Sequence, residues 1–416
     1  MENVFCADIG TSSLKTAVID SQGTVVEYSR IIFEKTEEHR EATVWLSALK
    51  SATDEIFSKK KDCRIDAICI SGNGPTVVGG NGETLLWNSS LPNDCIRAFL
   101  SASLFIPRLY AFKKMFPDAW NGNSSIYSGP EYLIHLLTGN DMTILPEERF
   151  TEAYWTEDSL DEADLKDGFS KLPKFTSPTS LAGKLTEEIA GYISHAENGL
   201  VSGLPVYCGA PDFVAALVGT GTLTPGKLCD RAGSSEGLNL CTAEKINAAG
   251  IRTLPSIIPG LWNASILLPD TGTRFSEYKK RLEEFEGHPF TYDEAVHETI
   301  FNDGIDAIYD QGKYMMLETA MKVRDGFGVL RNAVAGTSTV FPDEFTIAGG
   351  QAGNQEWIKM KCDVTGMKAK IPTCHDAELM GDAIFAFTGA GCYKDIVEAS
   401  EKLCTFEGLM QGAFLA

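Results

Sequence analysis

The residues between Val4 and Asp20 are of types that could hold a phosphate and a metal. An apolar run ends in Asp8, Gly10-Thr11-Ser12-Ser13 follow, and a second apolar run from Leu14 to Ile19 carries Lys15. Two strands joined by a tight, hydroxyl-rich turn leave backbone N–H groups pointing outward, which makes an anion cradle. The carboxylate of Asp8 stands just before that bend, where it could face a metal ion. Phosphate plus metal points to nucleotide chemistry. A plain hairpin is the competing reading, because Gly-Thr-Ser turns join many ordinary strands.

Three further segments carry similar residue types. Leu204 to Cys208 reads as a strand, Gly209-Ala210-Pro211 as a turn, and Asp212 as the start of a helix. Asp212 is then either a reactive carboxylate or a helix N-terminal acid favoured by the dipole. Gly233-Ser234-Ser235 follows a strand and is a second Gly-hydroxyl turn. Phe345 to Ala348 leads into Gly349-Gly350-Gln351-Ala352-Gly353-Asn354, and a helix then runs through Trp357, Met360, Lys361 and Val364. Glycines at a strand-to-helix junction let a phosphate or a flat ligand approach the backbone, though a plain glycine-rich turn reads the same way. Gly221 to Lys227 nearly spells a P-loop. Leu228 stands where the Mg²⁺-binding hydroxyl belongs and Pro225 removes a donor, so that reading fails.

The elements that must position these residues read as α/β. Thr24 to Tyr28 reads as a third strand, Ala42 to Lys60 as a helix with apolar spacing through Trp45, Leu49, Ala52 and Ile56, and Ile65 to Ser71 as a fourth strand. Three meandering strands, a helix and another strand differ from the strict alternation of a dinucleotide fold. Thr151 to Lys174 is acidic and reads as an irregular, solvated surface excursion. Glu378 to Gly391 reads as a helix whose Gly381, Ala383 and Ala386 serve packing. At 416 residues the chain is long enough for two domains.

A net charge of −21 argues against nucleic acid and anionic membranes as partners, and a phosphate must then be held by backbone dipoles and a metal. The charge leaves a homodimer open. No apolar stretch approaches a membrane span or a signal peptide, and the eleven cysteines lack any C-x-x-C pair. Buried reduced thiols in a cytoplasmic protein are the expectation.

Taken in order, these segments resemble the FGGY family of carbohydrate kinases. Asp8 to Ser12 with Lys15 is similar to the family's first phosphate motif, and Gly233-Ser234-Ser235 to its second. Ile70 to Gly74 and Leu85 to Asn88 occupy the place of its sugar-contacting loops. Tyr132 to Gly139 is similar to its Tyr-Leu…Leu-Thr-Gly helix end, and Gly209 to Asp212 to the segment carrying its catalytic base. Gly349 to Gly366, with the helix from Glu378, is similar to its adenosine motif.

The resemblance implies a two-domain actin-like ATPase (ribonuclease H-like) fold, with mixed sheets flanked by helices and a cleft between the domains. It implies an N-terminal domain over 1–245 and a shortened C-terminal domain over 246–416. ATP would be held by Gly10, Thr11, Ser12, Lys15, Gly233, Ser234, Ser235, Gly349, Gly350, Gln351 and Asn354. Mg²⁺ would face Asp8, and Asp212 would be the base. A small sugar or polyol would lie near Asn73, Gly74, Trp87, Asn88 and Asp212.

Two departures matter. Ser89 and Leu91 stand where the family places an Asp and an Arg, and the stretch from Leu268 to Tyr314 is short. Both leave room for a non-catalytic sugar or nucleotide sensor. Retention of Asp8, Asp212 and all three glycine turns favours the kinase.

Overall fold

The computed structural model describes residues 1–93, 95, 103–122, 125–194, 199–302 and 306–412. The chain forms two compact units, Met1–Gly219 with Glu378–Leu403, and Thr220–Ala377 with Cys404–Ala416. The sequence reading divides the chain at 245/246. In the structure the second Gly-hydroxyl turn belongs with the Gly349 turn, and the helix from Glu378 returns to the first unit.

In the first unit β1 (Asn3–Ile9), β2 (Ser13–Asp20) and β3 (Val25–Ile32) form an antiparallel meander, and β4 (Ala67–Gly72) lies parallel to β1. A small sheet holds β5 (Val77–Gly79), β6 (Thr84–Leu85) and β7 (Ile126–Tyr127), and a two-stranded ladder holds β8 (Thr143–Ile144) and β9 (Phe175–Thr176). With β10 (Leu181–Lys184) and β11 (Pro205–Tyr207) the main sheet runs β10-β11-β4-β1-β2-β3. β1 and β4 are buried almost throughout, which is why both read as continuous apolar runs. The helix Trp45–Lys59 lays Trp45, Leu49, Ala52 and Ile56 into the core with Phe5, Leu14, Val18 and Ile68. That is the stripe its 3.6-residue period dictates.

The second unit holds β12 (Leu228–Ala232), β13 (Glu236–Thr242), β14 (Arg252–Pro255), β15 (Trp262–Leu268), β16 (Glu344–Ala348), β17 (Lys368–Pro372) and β18 (Phe406–Met410). Its sheet runs β14-β15-β13-β12-β16-β17-β18. Without β14 this repeats the first sheet strand for strand. Each has an antiparallel meander of three, two parallel additions and an antiparallel edge. The helix Ala307–Val334 covers the second sheet through Val323, Phe327, Leu330 and Val334.

Several elements differ from the sequence reading. β3 continues to Ile32. The acidic stretch is not irregular: it folds into the turns Glu148–Glu152 and Lys166–Lys171 around the helix Glu157–Glu162. There Tyr154, Trp155, Leu160 and Leu165 are buried, so the acids cover a small apolar cluster. The run from Gly221 to Lys227 leads from the helix Asp212–Gly219 into β12, the reverse of a P-loop's strand-to-helix order. Cys6, Cys69 and Cys208 are buried free thiols. Among the described residues no helix is long and apolar enough to cross a membrane.

Candidate functional site

In the first unit the carboxyl ends of β1, β4 and β11 lie side by side and parallel. Ligands of open α/β sheets bind outside such ends. Asp8 is aligned with Ser71, Ile9 with Gly72, and Gly72 bridges to Pro211, the residue before Asp212. The sheet register thus brings the β1 acid and the turn carrying Asp212 to one edge. Gly209 makes the second possible. Its φ is +67°, and a Cβ there would stand 2.0 Å from the Ile70 carbonyl oxygen. Asp212 is half-buried and opens the helix Asp212–Gly219, and its Oδ1 accepts the Phe213 N–H at 2.6 Å. Gly381 lets the helix Ala377–Gly389 pack on this one, since a Cβ would lie 2.1 Å from the Ala215 oxygen.

Asp8 is 3% exposed. Lys15 Nζ stands 4.0 Å from its Oδ2, so this lysine faces the acid across the β1–β2 ladder. The Ser71 hydroxyl lies between two carboxyls, 2.9 Å from Asp382 Oδ2 and 3.4 Å from Asp8 Oδ1. Burial, and next the charge of Asp8, push Asp382 well above the usual carboxylate range, against the hydrogen bonds from Ser71. Two neighbouring buried carboxyls do not both ionise readily, which favours the protonated form of Asp382.

The turn after β1 is closed by the Gly10 N–H donating to the Ser13 carbonyl at 3.0 Å, and Thr11 and Ser12 are exposed. Trp87 is 38% exposed and donates its indole N–H to the Thr11 hydroxyl at 2.9 Å. One expected sugar residue is thereby tied to the first Gly-hydroxyl turn. Asn73 is buried beside Gly74. Its Oδ1 accepts from Thr76 at 2.6 Å, and its Nδ2 is buried without a partner. Asn88 is exposed next to Trp87. The segment around Trp87 is held from elsewhere, because Arg108 donates to the Leu86 oxygen at 2.5 Å and the Ser89 oxygen at 3.5 Å. Burial pushes this arginine down to about 10. It sits on the helix Ile106–Met115, too far along the chain for a local motif to reveal.

The second unit carries the other two turns. Gly233 to Ser235 joins β12 to β13, with the Gly233 N–H donating to Ser235 at 3.1 Å, and Gly233 and Ser234 are exposed. The helix Thr271–Glu286 starts on this turn. The N–H groups of Gly272 and Thr273 reach the Ser234 oxygen at 3.0 and 3.1 Å, and a Cβ on Gly272 would lie 2.1 Å from the Gly233 oxygen. Sequence reasoning missed this helix start. Gly349 has φ +86° and packs on the last residue of β12, where a Cβ would be 2.6 Å from the Ala232 oxygen. Gly350 is exposed with open space around its missing Cβ.

Two of the expected nucleotide residues are turned to other partners. Gln351 is buried and donates to Glu236 Oε1 at 2.7 Å. Asn354 caps the helix Gln355–Thr365 by accepting the Trp357 N–H at 2.9 Å, and its amide donates to Asp293 at 2.9 Å. Behind both turns, Lys361 Nζ lies 2.7 Å from Asp230 Oδ2 and 3.1 Å from Glu236 Oε2, with all three side chains fully buried. Burial works against the Lys361 charge, but the two carboxylates overcome it and its pKa is raised. One ammonium serves two acids, and burial pushes Asp230 up to about 7 although Lys361 opposes the shift.

No family model matches the chain. By sequence it is 23% identical over 371 residues to the autoinducer-2 kinase of Escherichia coli K12, covering 77% of this chain and 68% of that one. It is 22% identical over 462 residues to the xylulose kinase of Staphylococcus epidermidis, covering 96% and 90%. Its fold matches the xylulose kinase of Rhodospirillum rubrum with a TM-score of 0.73 at 17% identity, over 99% and 94% of the chains. It matches the glycerol kinase of Plasmodium falciparum, solved with ADP, at 0.75 and 13% identity over the same shares. The duplicated sheet and these matches agree on the two-domain actin-like ATPase fold, and the curated relatives that the chain resembles are carbohydrate kinases.

Proposed function

We infer that Asp212 is the general base in the ATP-dependent phosphorylation of a hydroxyl on a small sugar or polyol. Phosphoryl transfer asks the protein for positioning and charge stabilisation rather than covalent chemistry. The acceptor hydroxyl gives its proton to the Asp212 carboxylate, its oxygen bonds the γ-phosphorus, and the bond to the leaving ADP oxygen breaks. A base must stay open to its substrate, and Asp212 is half-buried at a helix start while Asp8 is nearly sealed. This contrast, along one sheet edge, is the observation that carries the assignment.

Gly10 to Ser12 supply N–H and hydroxyl groups to phosphate in the first unit, and Gly233 to Ser235 in the second. Gly349 and Gly350 receive the adenosine, where the open face of Gly350 leaves space for it. Lys15 stands beside Asp8 on the phosphate side of the first turn. Asp8 and the Ser71 hydroxyl offer hard oxygen donors, which fit Mg²⁺. Bound there, the ion would neutralise phosphate charge. Asn73, Gly74, Trp87 and Asn88 line the sugar side, with the Asn73 Nδ2 as a donor awaiting an acceptor.

The test is Asp212→Asn in a coupled ADP-release assay over pentuloses, hexuloses and polyols. Turnover falls by roughly 10²–10⁴, the usual worth of a positioned base, while ATP affinity is kept. Full turnover in the variant would refute the base. Sugar binding without any turnover by the unaltered protein would favour the sensor.

A further inference from the structure

We propose that the buried Lys361–Asp230–Glu236 triad is a positioning device for the nucleotide, locking the Gly233–Ser235 turn to the Gly349–Gly353 turn. The inference rests on the reading that these turns hold ATP.

Asp230 lies on β12 three residues before Gly233, and Glu236 begins β13 directly after Ser235. In the ladder Ala232 pairs with Glu236 and Asp230 with Leu238, so both acids share one face of the hairpin that carries the turn. Lys361 comes from the helix Gln355–Thr365, which follows the Gly349 turn. Gln351 belongs to that turn itself and donates to Glu236 at 2.7 Å. Glu236 therefore takes one hydrogen bond from the helix and one from the turn. The backbones touch as well, where Gly349 meets Ala232.

Stability does not explain the arrangement. Taking three charges out of water costs several kcal/mol per ion before their attraction offsets it, and well-packed apolar replacements of buried ion networks are often as stable or more so. What polar contacts add is direction, because hydrogen bonds between fixed atoms allow one relative placement of hairpin, turn and helix. A core of Leu and Met at these sites would pack as tightly while letting the two turns slide. The three charged positions lie behind the turns and are fully buried, so they act on ATP through backbone placement.

The experiment compares Glu236→Leu with Glu236→Gln. Both remove the same charge and leave Asp230 paired with Lys361, but only glutamine keeps an acceptor for Gln351. ATP affinity is measured by calorimetric titration. KM for ATP and for the best-turned-over sugar of the panel come from ADP release. Glu236→Leu raises both Kd and KM for ATP about tenfold or more with the sugar KM unchanged, and Glu236→Gln stays within about threefold of the unaltered protein. A folded Glu236→Leu protein that binds ATP normally overturns the inference, as does an equal rise in the sugar KM. Should that variant not fold, the charge-neutral triple variant Asp230→Asn, Glu236→Gln, Lys361→Met is expected to fold and to lose ATP affinity by the same factor; normal affinity in it overturns the inference. Failure of the unaltered protein to bind ATP overturns the underlying nucleotide reading, and this inference with it.

Discussion

Glu131 gives the first unit a measurable pH dependence. It lies on the helix Gly129–Thr138 and is 2% exposed, with Oε1 accepting the Ile144 N–H at 2.8 Å and Oε2 taking the Ser128 hydroxyl. Burial pushes its pKa from 4.5 to about 7, against the hydrogen bonds from Ile144 and its own N–H. The folded protein therefore holds one proton more than the unfolded chain between those two values. The contribution is fully present below the unfolded pKa and is lost as pH rises through the folded one. At about 1.4 kcal/mol per pH unit, the loss over this window is about 3 kcal/mol. Above pH ~7 the slope from this residue vanishes. Glu131→Gln keeps the shape and an acceptor for Ile144 but does not titrate. Denaturant unfolding of both proteins at matched pH isolates the residue, because every other titrating group cancels in the difference. The stability of the unaltered protein relative to Glu131→Gln should fall by about 3 kcal/mol from pH ~4.5 to pH ~7 and then level off. Parallel stability curves across that range would show that Glu131 is ionised in the fold and refute the reasoning.

Two further outcomes follow from the turns. Trp87→Phe keeps the ring and removes the N–H that reaches Thr11, and a hydrogen bond of about 1 kcal/mol predicts a roughly fivefold loss of kcat/KM for ATP. Thr11→Val should then add little on top of it, and full additivity of the two changes would show that the pair does not act together. Gly349→Ala forces a side chain into φ +86° with its Cβ 2.6 Å from the Ala232 oxygen, so the fold loses more than about 1 kcal/mol and ATP affinity drops with it. An unchanged denaturation midpoint would contradict the close approach.

Local periodicity made part of this structure legible. Trp45, Leu49, Ala52 and Ile56 announce their helix, and the run from Val4 to Asp20 announces β1, its turn and β2, because each pattern is written within one element. Patterns that depend on distant partners were hidden. Lys361 looks like a solvent-facing helical lysine until β12 and β13, over a hundred residues earlier, bring Asp230 and Glu236 to it. Asp382 sits in a helix of small residues, and its meeting with Ser71 spans 311 positions. The acidic stretch failed for another reason. Its charges set the composition while buried side chains such as Tyr154, Trp155, Leu160 and Leu165 set the fold. In the first unit, the Gly10 turn and Asp212 are readable as types, and their alignment at the ends of β1, β4 and β11 is not, since register is a property of the folded sheet.

The two sheets show how one topology supports unlike chemistry. Gly10 and Gly233 close equivalent turns, yet two residues before them stand Asp8 in the first sheet and Arg231 in the second. Along the parallel neighbour, Asp8 meets Ser71 where Arg231 meets Ala348. The first unit thus sets a buried carboxylate, Asp8, at the carboxyl edge of its sheet, and Asp382 of the helix Ala377–Gly389 shares the Ser71 hydroxyl with it. The second sheet moves its acid one position back, to Asp230, on the opposite face of the strand. There the acid is fully buried and pairs with Lys361. A one-residue shift along an alternating strand is enough to move the acid to the opposite face. The turn itself keeps its glycine and hydroxyl residues in either unit.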